Sequence, residues 1–350
     1  MLTAVLLFPV SAGAISAQKA IVMDAASGRV IYERNANSRS LIASTTKIMT
    51  ALVICEQCNV LDRMKVPREA VGIEGSSIYL KEGEVLTVQE LLYGMMLHSG
   101  NDAATALAIY CGGTVEGFVQ LMNDKAHFLG LKDTHFANPH GLDSDQNYST
   151  ARDLAKLAAY AMKNPIFAQT VSSKTVRIGD RSLRNHNKLL WQVDGADGVK
   201  TGFTRAAGRL LVSSAVRDGR RLIAVTINDG NDWADHKILL EDGFSRYECC
   251  QIVKKGDVLG RIAVMGGQKP WVEVVATEDF SYALAAEEKL HIVLAPPEFV
   301  YAPVVRGQNA GYAYICLGDA TIGKVEICYT DTIEQFVPEK KPFWKRLFGR

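Results

Sequence analysis

Apolar and polar positions alternate along residues 20–24 and again along residues 29–33, with Ala25-Ala26-Ser27-Gly28 between them. Two alternating runs joined by a short turn ending in glycine predict a β-hairpin. From residue 45 the period changes. Residues 45–55 carry the apolar run that starts at Ile48, and residues 87–96 place Val88, Leu91, Leu92 and Met95 on one helical stripe. Residues 103–110 and 115–129 continue in the same style. Ser149-Thr150-Ala151-Arg152-Asp153 then opens a helix to Met162, with Thr150 or Ser149 as its cap. Strand character returns late, where residues 209–216 and 221–228 flank Asp218-Gly219, a strong hairpin signal. A helix over residues 235–244 closes the pattern. Strands at both ends of a helical centre predict one domain whose ends meet in a single antiparallel sheet.

After Cys250 short alternating runs take over, at residues 258–264, 271–276, 290–294, 312–316 and 324–329. Gly266-Gly267, Pro296-Pro297 and Gly318-Asp319 punctuate them, so this part reads as a small all-β domain. It holds no cluster of nucleophile, base and acid, and no chemistry is assigned to it. A length of 350 residues suits two domains. The predicted organisation is α+β: a mixed domain over residues 18–250 and a β-rich domain over 251–335, between a leader (1–17) and a tail (336–350).

The two ends differ from the rest. Leu2 to Val10 is apolar, and Ala12-Gly13-Ala14 or Ser16-Ala17 offers small residues for cleavage, although no basic residue precedes Lys19. This predicts the remnant of a secretory signal and an exported protein. No stretch is long enough to cross a bilayer as a helix. In the tail, Lys340, Lys341, Lys345, Arg346 and Arg350 interleave with Phe343, Trp344, Leu347 and Phe348. On a helix the four apolar residues share one side, the pattern of a segment lying in a membrane interface. Elsewhere charge is balanced, with 39 Lys plus Arg against 38 Asp plus Glu, and nothing points to nucleic acid. Of the seven cysteines, Cys55 and Cys58 have metal-like spacing, but no second pair completes a zinc site. They read as core residues of a helix, and no metal or cofactor is expected.

The chemistry starts at Ser44-Thr45-Thr46-Lys47. Serine and lysine three residues apart at the head of a helix share a face, about one turn apart. A serine needs a base partner to act as a nucleophile near neutral pH, and an amine at that distance can accept its proton. Spacing alone is weak, since Ser16 and Lys19 match it equally well. Two further patterns lie downstream: Ser99-Gly100-Asn101, and Lys200-Thr201-Gly202 just before the late hairpin. Acyl transfer needs a nucleophile, a proton route and donors aimed at a developing oxyanion. Ser44 is the candidate nucleophile and Lys47 its base, if burial and Lys200 lower its pKa. Ser99 is the candidate relay to the leaving amine. Asn101 can hydrogen-bond Lys47 and a substrate amide, while Lys200 and Thr201 can fix a substrate carboxylate. Gly202 would let a substrate backbone approach closely. His140 and His98 are left without a catalytic part.

The order S-x-x-K, S-x-N, K-T-G resembles that of penicillin-binding proteins and class A β-lactamases. Residues 20–330 are more closely similar to the D-alanyl-D-alanine carboxypeptidases among them. Gly75-Ser76-Ser77, Phe136-Ala137-Asn138-Pro139-His140-Gly141-Leu142, Asn185-His186-Asn187-Lys188-Leu189-Leu190 and Asp197-Gly198-Val199-Lys200-Thr201-Gly202-Phe203-Thr204 carry that likeness. The resemblance implies a transpeptidase-like α/β domain, a β-rich domain and an amphipathic anchor. It implies an acyl-enzyme on Ser44, an oxyanion hole from the N–H groups of Ser44 and Phe203, the peptidoglycan stem pentapeptide as substrate, and covalent acylation by β-lactams. The rival readings are a β-lactamase, a crosslink endopeptidase or transpeptidase, and a non-enzymatic wall-binding protein. Gly100 in the central motif and the second domain favour the carboxypeptidase over the β-lactamase.

Overall fold

The alternating runs near the two ends of the first domain become neighbours in one sheet. In the computed structural model, which describes residues 15–338, Lys19–Asp24 pairs antiparallel with Arg220–Ile227, Lys19 opposite Ile227. The five-stranded order is Val30–Arg34, Lys19–Asp24, Arg220–Ile227, Gly208–Arg217, Ala196–Thr204. The central strands bury consecutive residues rather than alternate ones, so they need cover on both faces. The helices Ala151–Ala161 and Asp232–Arg246 both pack on Arg220–Ile227.

Three helices carry most of the remaining core: α1 (Lys47–Gln57), α2 (Val88–Leu97) and α3 (Asn101–Gly112). Every residue of α1 from Lys47 to Cys55 is buried, so it is a central helix rather than an amphipathic surface one. Ile48, Leu52, Leu91, Met95, Leu107 and Phe118 belong to one continuous apolar cluster. Thr87 caps α2 in a reciprocal capping box with Glu90, and Thr150 caps its helix by accepting from Asp153 N.

Several boundaries shift from the sequence reading. The helix expected at residues 45–55 is preceded by a 3₁₀ turn, Ala43–Thr46, and winds as an α-helix only from Lys47. Residues three apart eclipse one another in a 3₁₀ turn. α3 starts at Asn101, two residues early. Ala196–Thr204 is a full edge strand, which its two glycines and Asp197 concealed. At the other end, Ser16 and Ala17 are packed into this unit. Asp235 Oδ2 accepts from both backbone N–H groups, and Ser16 Oγ also donates to Asp229.

The chain divides between Arg246 and Tyr247 into two units. In the second, a six-stranded sheet runs Leu290–Ala295, Asn309–Leu317, Ala320–Tyr329, Trp271–Ala276, Val258–Met265, Phe299–Tyr301. Tyr247–Val253 and Phe280–Ala285 form a separate pair. Val274, Ala313 and Ile327 lie at the core of the six-stranded sheet. Most of the leader and of the basic tail, residues 1–14 and 339–350, lies outside the described residues.

Candidate active site

Ser44 sits in the 3₁₀ turn and Lys47 opens α1, so their spacing is fixed by local winding rather than by distant contacts. Lys47 Nζ lies 3.0 Å from Ser44 Oγ. Ala43, just before the nucleophile, has φ of 44°, an uncommon left-handed conformation for alanine. The turn is held from one side by Gly141, whose backbone passes so close that an added Cβ would lie 1.9 Å from Ala43 O. Only glycine fits there. From another side Gly202 lies against it, where a Cβ would meet Thr45 N at 3.3 Å. The glycine of K-T-G therefore lets the edge strand close on the nucleophile turn, rather than serving only an incoming substrate.

Lys47 has no solvent exposure. Besides Ser44 Oγ, its amine meets Asn101 Oδ1 at 2.6 Å and the carbonyl oxygen of His140 at 2.6 Å. Burial first, and then the positive charge of Lys200, push its pKa well below the usual lysine value, while Asp102 opposes them. Lys200 is buried as well, and burial lowers it to about 7. It donates to Thr201 O at 3.0 Å.

Asn101 is engaged at both ends of its amide. Its Nδ2 donates to Glu74 O at 2.6 Å, and its backbone N–H donates to Ser76 O at 2.7 Å. It therefore ties Lys47 to the 74–76 loop, with one amide N–H left over. Ser99 is buried with φ of 62°, and its Oγ has no hydrogen-bond partner. Strain and an unsatisfied hydroxyl on one buried residue are the kind of cost that functional sites carry. Phe203 stands on the edge strand with its ring largely exposed.

A groove of about 350 Å³ brings these parts together. Ser44, Ser99, Thr201, Gly202 and Phe203 line it. Of the eight predicted site residues, these five lie in the groove, and Lys47, Asn101 and Lys200 are buried outside its lining.

Arg209, Trp233 and Asp102 escaped the sequence reading. Arg209 and Trp233 also line the groove; Arg209 makes a bidentate pair with Asp232 and places its guanidinium over Trp233. Their mutual position depends on pairing between Gly208–Arg217 and the edge strand, with Arg209 opposite Phe203. Asp102, next to Asn101, accepts from Ser77 Oγ at 2.6 Å, Ile78 N at 3.1 Å and Leu80 N at 3.0 Å. It pins the loop that Asn101 also holds. His140, assigned a structural part, contributes its carbonyl to Lys47. Burial and then Lys47 depress its ring to about 4.

Residues 7–231 match the family described as D-alanyl-D-alanine carboxypeptidase. The chain belongs to the D-alanyl-D-alanine carboxypeptidase family. Residues 247–335 match the C-terminal domain of penicillin-binding protein 5. The D-alanyl-D-alanine carboxypeptidase DacF of Bacillus subtilis is 33% identical over 315 residues, covering 84% of this chain and 80% of that one. A crystal structure of penicillin-binding protein 5 from Haemophilus influenzae superposes with a TM-score of 0.82 at 30% identity, covering 93% of this chain and 100% of that one. A mutant of the Streptomyces K15 DD-transpeptidase matches at 35% identity and a TM-score of 0.63, over 66% of this chain and 98% of that one. In this family member the groove holds a serine whose Oγ lies 3.0 Å from a buried amine.

Proposed function

We propose that Ser44 is the nucleophile of a serine D-Ala-D-Ala carboxypeptidase and Lys47 its base. The geometry of the Lys47 amine carries this reading. A neutral amine has two N–H groups and one lone pair. Asn101 Oδ1 and the His140 carbonyl accept the two N–H groups. The lone pair is then left facing Ser44 Oγ at 3.0 Å, ready to take its proton. Burial and then the charge of Lys200 favour the neutral amine.

Ser44 Oγ attacks the carbonyl of the penultimate D-alanine, and Lys47 takes the hydroxyl proton. The amide C–N bond breaks, and the terminal D-alanine leaves as an amine that receives a proton through Ser99. Water then hydrolyses the ester and restores Ser44. The backbone N–H groups of Ser44 and Phe203 face the developing oxyanion. Lys200, Thr201 and Arg209 offer the substrate carboxylate two cations and a hydroxyl. Asn101 acts chiefly by positioning Lys47. The substrate is the peptidoglycan stem pentapeptide, and β-lactams acylate the same serine.

The setting proposed is the outer face of the cytoplasmic membrane. Cleavage after Ala14 fits better than cleavage after Ala17, because Asp235 and Asp229 hold Ser16 and Ala17. The basic amphipathic tail, residues 336–350, serves as the membrane anchor; deleting residues 338–350 is expected to move the protein to the soluble fraction, and unchanged fractionation would refute the anchor.

The catalytic reading is tested by incubating the protein with a fluorescent penicillin and mapping the adduct. Labelling on Ser44, lost in Ser44→Ala, and release of D-alanine from a pentapeptide are expected. Lys47→Ala should slow acylation by about a hundredfold, the contribution of a positioned general base. Absence of both adduct and D-alanine release refutes the proposal, and rapid turnover of the penicillin would mark a β-lactamase.

A further inference from the structure

α1 and α3 pack against each other and are 11 and 12 residues long. Their first residues, Lys47 and Asn101, meet through the 2.6 Å hydrogen bond at the catalytic site. Each helix then rises about 15 Å to its far end. There the two helices meet again. Cys58 caps the end of α1, and Cys111 lies in the last turn of α3. The Cys58 thiol donates a hydrogen bond to Cys111 Sγ. Beside them Tyr110 Oη donates to Asp62 Oδ2 at 3.0 Å, which ties the turn after α1 to α3 without the thiols. Both cysteines also pack against the same apolar cluster.

Sequence spacing paired Cys55 with Cys58 as core residues of one helix, and the structure separates them. Cys55 is buried within α1. Cys58 stands just past the helix on extended backbone and is half-buried, as is Cys111. Both are free thiols in this structure. Burial pushes the Cys55 thiol up to about 12, so it stays protonated and unreactive. The hydrogen bond from Cys58 lowers Cys111 against the opposing effect of burial. Cys111 therefore ionises before its neighbours, and Cys58 is the thiol within reach of it. Neither residue touches the catalytic groove.

We propose that Cys58 and Cys111 form a redox site, which closes into a disulfide when the protein meets a disulfide donor. The Cys111 thiolate attacks one sulfur of the donor, the donor S–S bond breaks, and one donor thiol leaves. Cys58 then loses its proton and attacks Cys111 Sγ, and the second donor thiol leaves. One S–S bond forms in the protein and one breaks in the donor. Two electrons and two protons pass from the cysteines to the donor, which is reduced to two thiols. The exported setting proposed above is one where such donors act and such bonds persist. The crosslink closes a loop that contains α2, the 74–76 loop and Ser99-Gly100-Asn101. It would staple the far ends of the two helices whose near ends set the Lys47–Asn101 contact. This redox site is separate from the carboxypeptidase chemistry and does not depend on it.

The full chain is equilibrated with oxidised or with reduced glutathione, and its remaining thiols are alkylated. Digestion at glutamates then separates Cys55 from Cys58 by cutting after Glu56. The oxidised protein should yield the Cys58 and Cys111 peptides linked to each other, two hydrogens lighter than their sum and separable by reductant. Its thermal midpoint should lie at least about 5 °C above that of the reduced protein, as expected for a disulfide that closes a long loop. Cys58→Ser and Cys111→Ser should each abolish that difference, while Cys249→Ser, in the second unit, should preserve it. Glutathione left on Cys111 without the crosslink overturns the proposal. So does a Cys55–Cys111 linkage, or equal midpoints for the oxidised and reduced wild type. These three outcomes are read on the wild-type chain, so they decide the matter even where a serine variant fails to fold.

Discussion

Lys47 and Lys200 are both wholly buried, and the charge of Lys200 lowers the pKa of Lys47. The lowering of Lys200, to about 7, comes from burial. To serve as base, Lys47 has to give up its proton while Lys200 stays cationic. The two requirements have opposite signs. Activity rises with pH as Lys47 becomes neutral, and falls as pH passes through about 7 and Lys200 loses the charge that attracts the substrate carboxylate. The expected profile of kcat/KM for D-alanine release is bell-shaped. Lys200→Arg, whose guanidinium stays charged, should remove the descending limb. A descending limb that persists unchanged in that variant would assign it to another group.

Ser99 separates activity from stability. Its Oγ has no partner to lose, and its φ of 62° is costly for any residue with a Cβ. Ser99→Ala should leave the thermal midpoint nearly unchanged, a shift worth less than about 0.5 kcal/mol, as for sites that lack a structural role. D-alanine release should fall by about a hundredfold, as expected for a lost proton relay. A large drop in melting temperature would show that the hydroxyl is structural.

Asp102 acts on both counts. Asp102→Ala strips partners from Ile78 N and Leu80 N, both of which donate to it. Leaving buried N–H groups unpaired should cost about 2–4 kcal/mol by chemical denaturation. The carboxylate also raises the pKa of Lys47. Removing it should move the ascending limb of the pH profile to lower pH, and a shift to higher pH would contradict the assignment of Lys47.

Gly141 has φ of 92°, and its Cα faces Ala43 O. Gly141→Ala combines left-handed strain with a collision against the nucleophile turn. It should destabilise the protein by at least about 2 kcal/mol. It should also slow penicillin acylation, because Ala43 carries the strain next to Ser44. Normal acylation kinetics would mean that the turn keeps its shape without Gly141.

The fold was legible where periodicity carries it. The alternating runs at residues 20–24 and 221–228 told of strands, and the stripe of Val88, Leu91, Leu92 and Met95 told of a helix, because each pattern reports a local repeat facing a core. The edge strand Ala196–Thr204 was not legible, since two glycines and Asp197 break any alternation and its form depends on the partner strand. Motif order brought Ser44, Lys47, Ser99, Asn101, Lys200, Thr201 and Gly202 together as one candidate site, because a local spacing fixes each short pattern, and the family resemblance added Phe203.

What these residues do to one another was decided only by tertiary structure. The Lys47 amine faces Ser44 with its lone pair because Asn101 and the His140 carbonyl take its N–H groups. Those two residues lie 54 and 93 positions away along the chain. Its pKa is lowered by the packing around α1 and by Lys200 on the edge strand, the two causes that its role as base required. Arg209 and Asp102 were hidden because their place at the site depends on distant segments. The sequence by itself determines which chemical groups are available and which are local neighbours. Burial, field and hydrogen-bond partner depend on which distant segments fold against them.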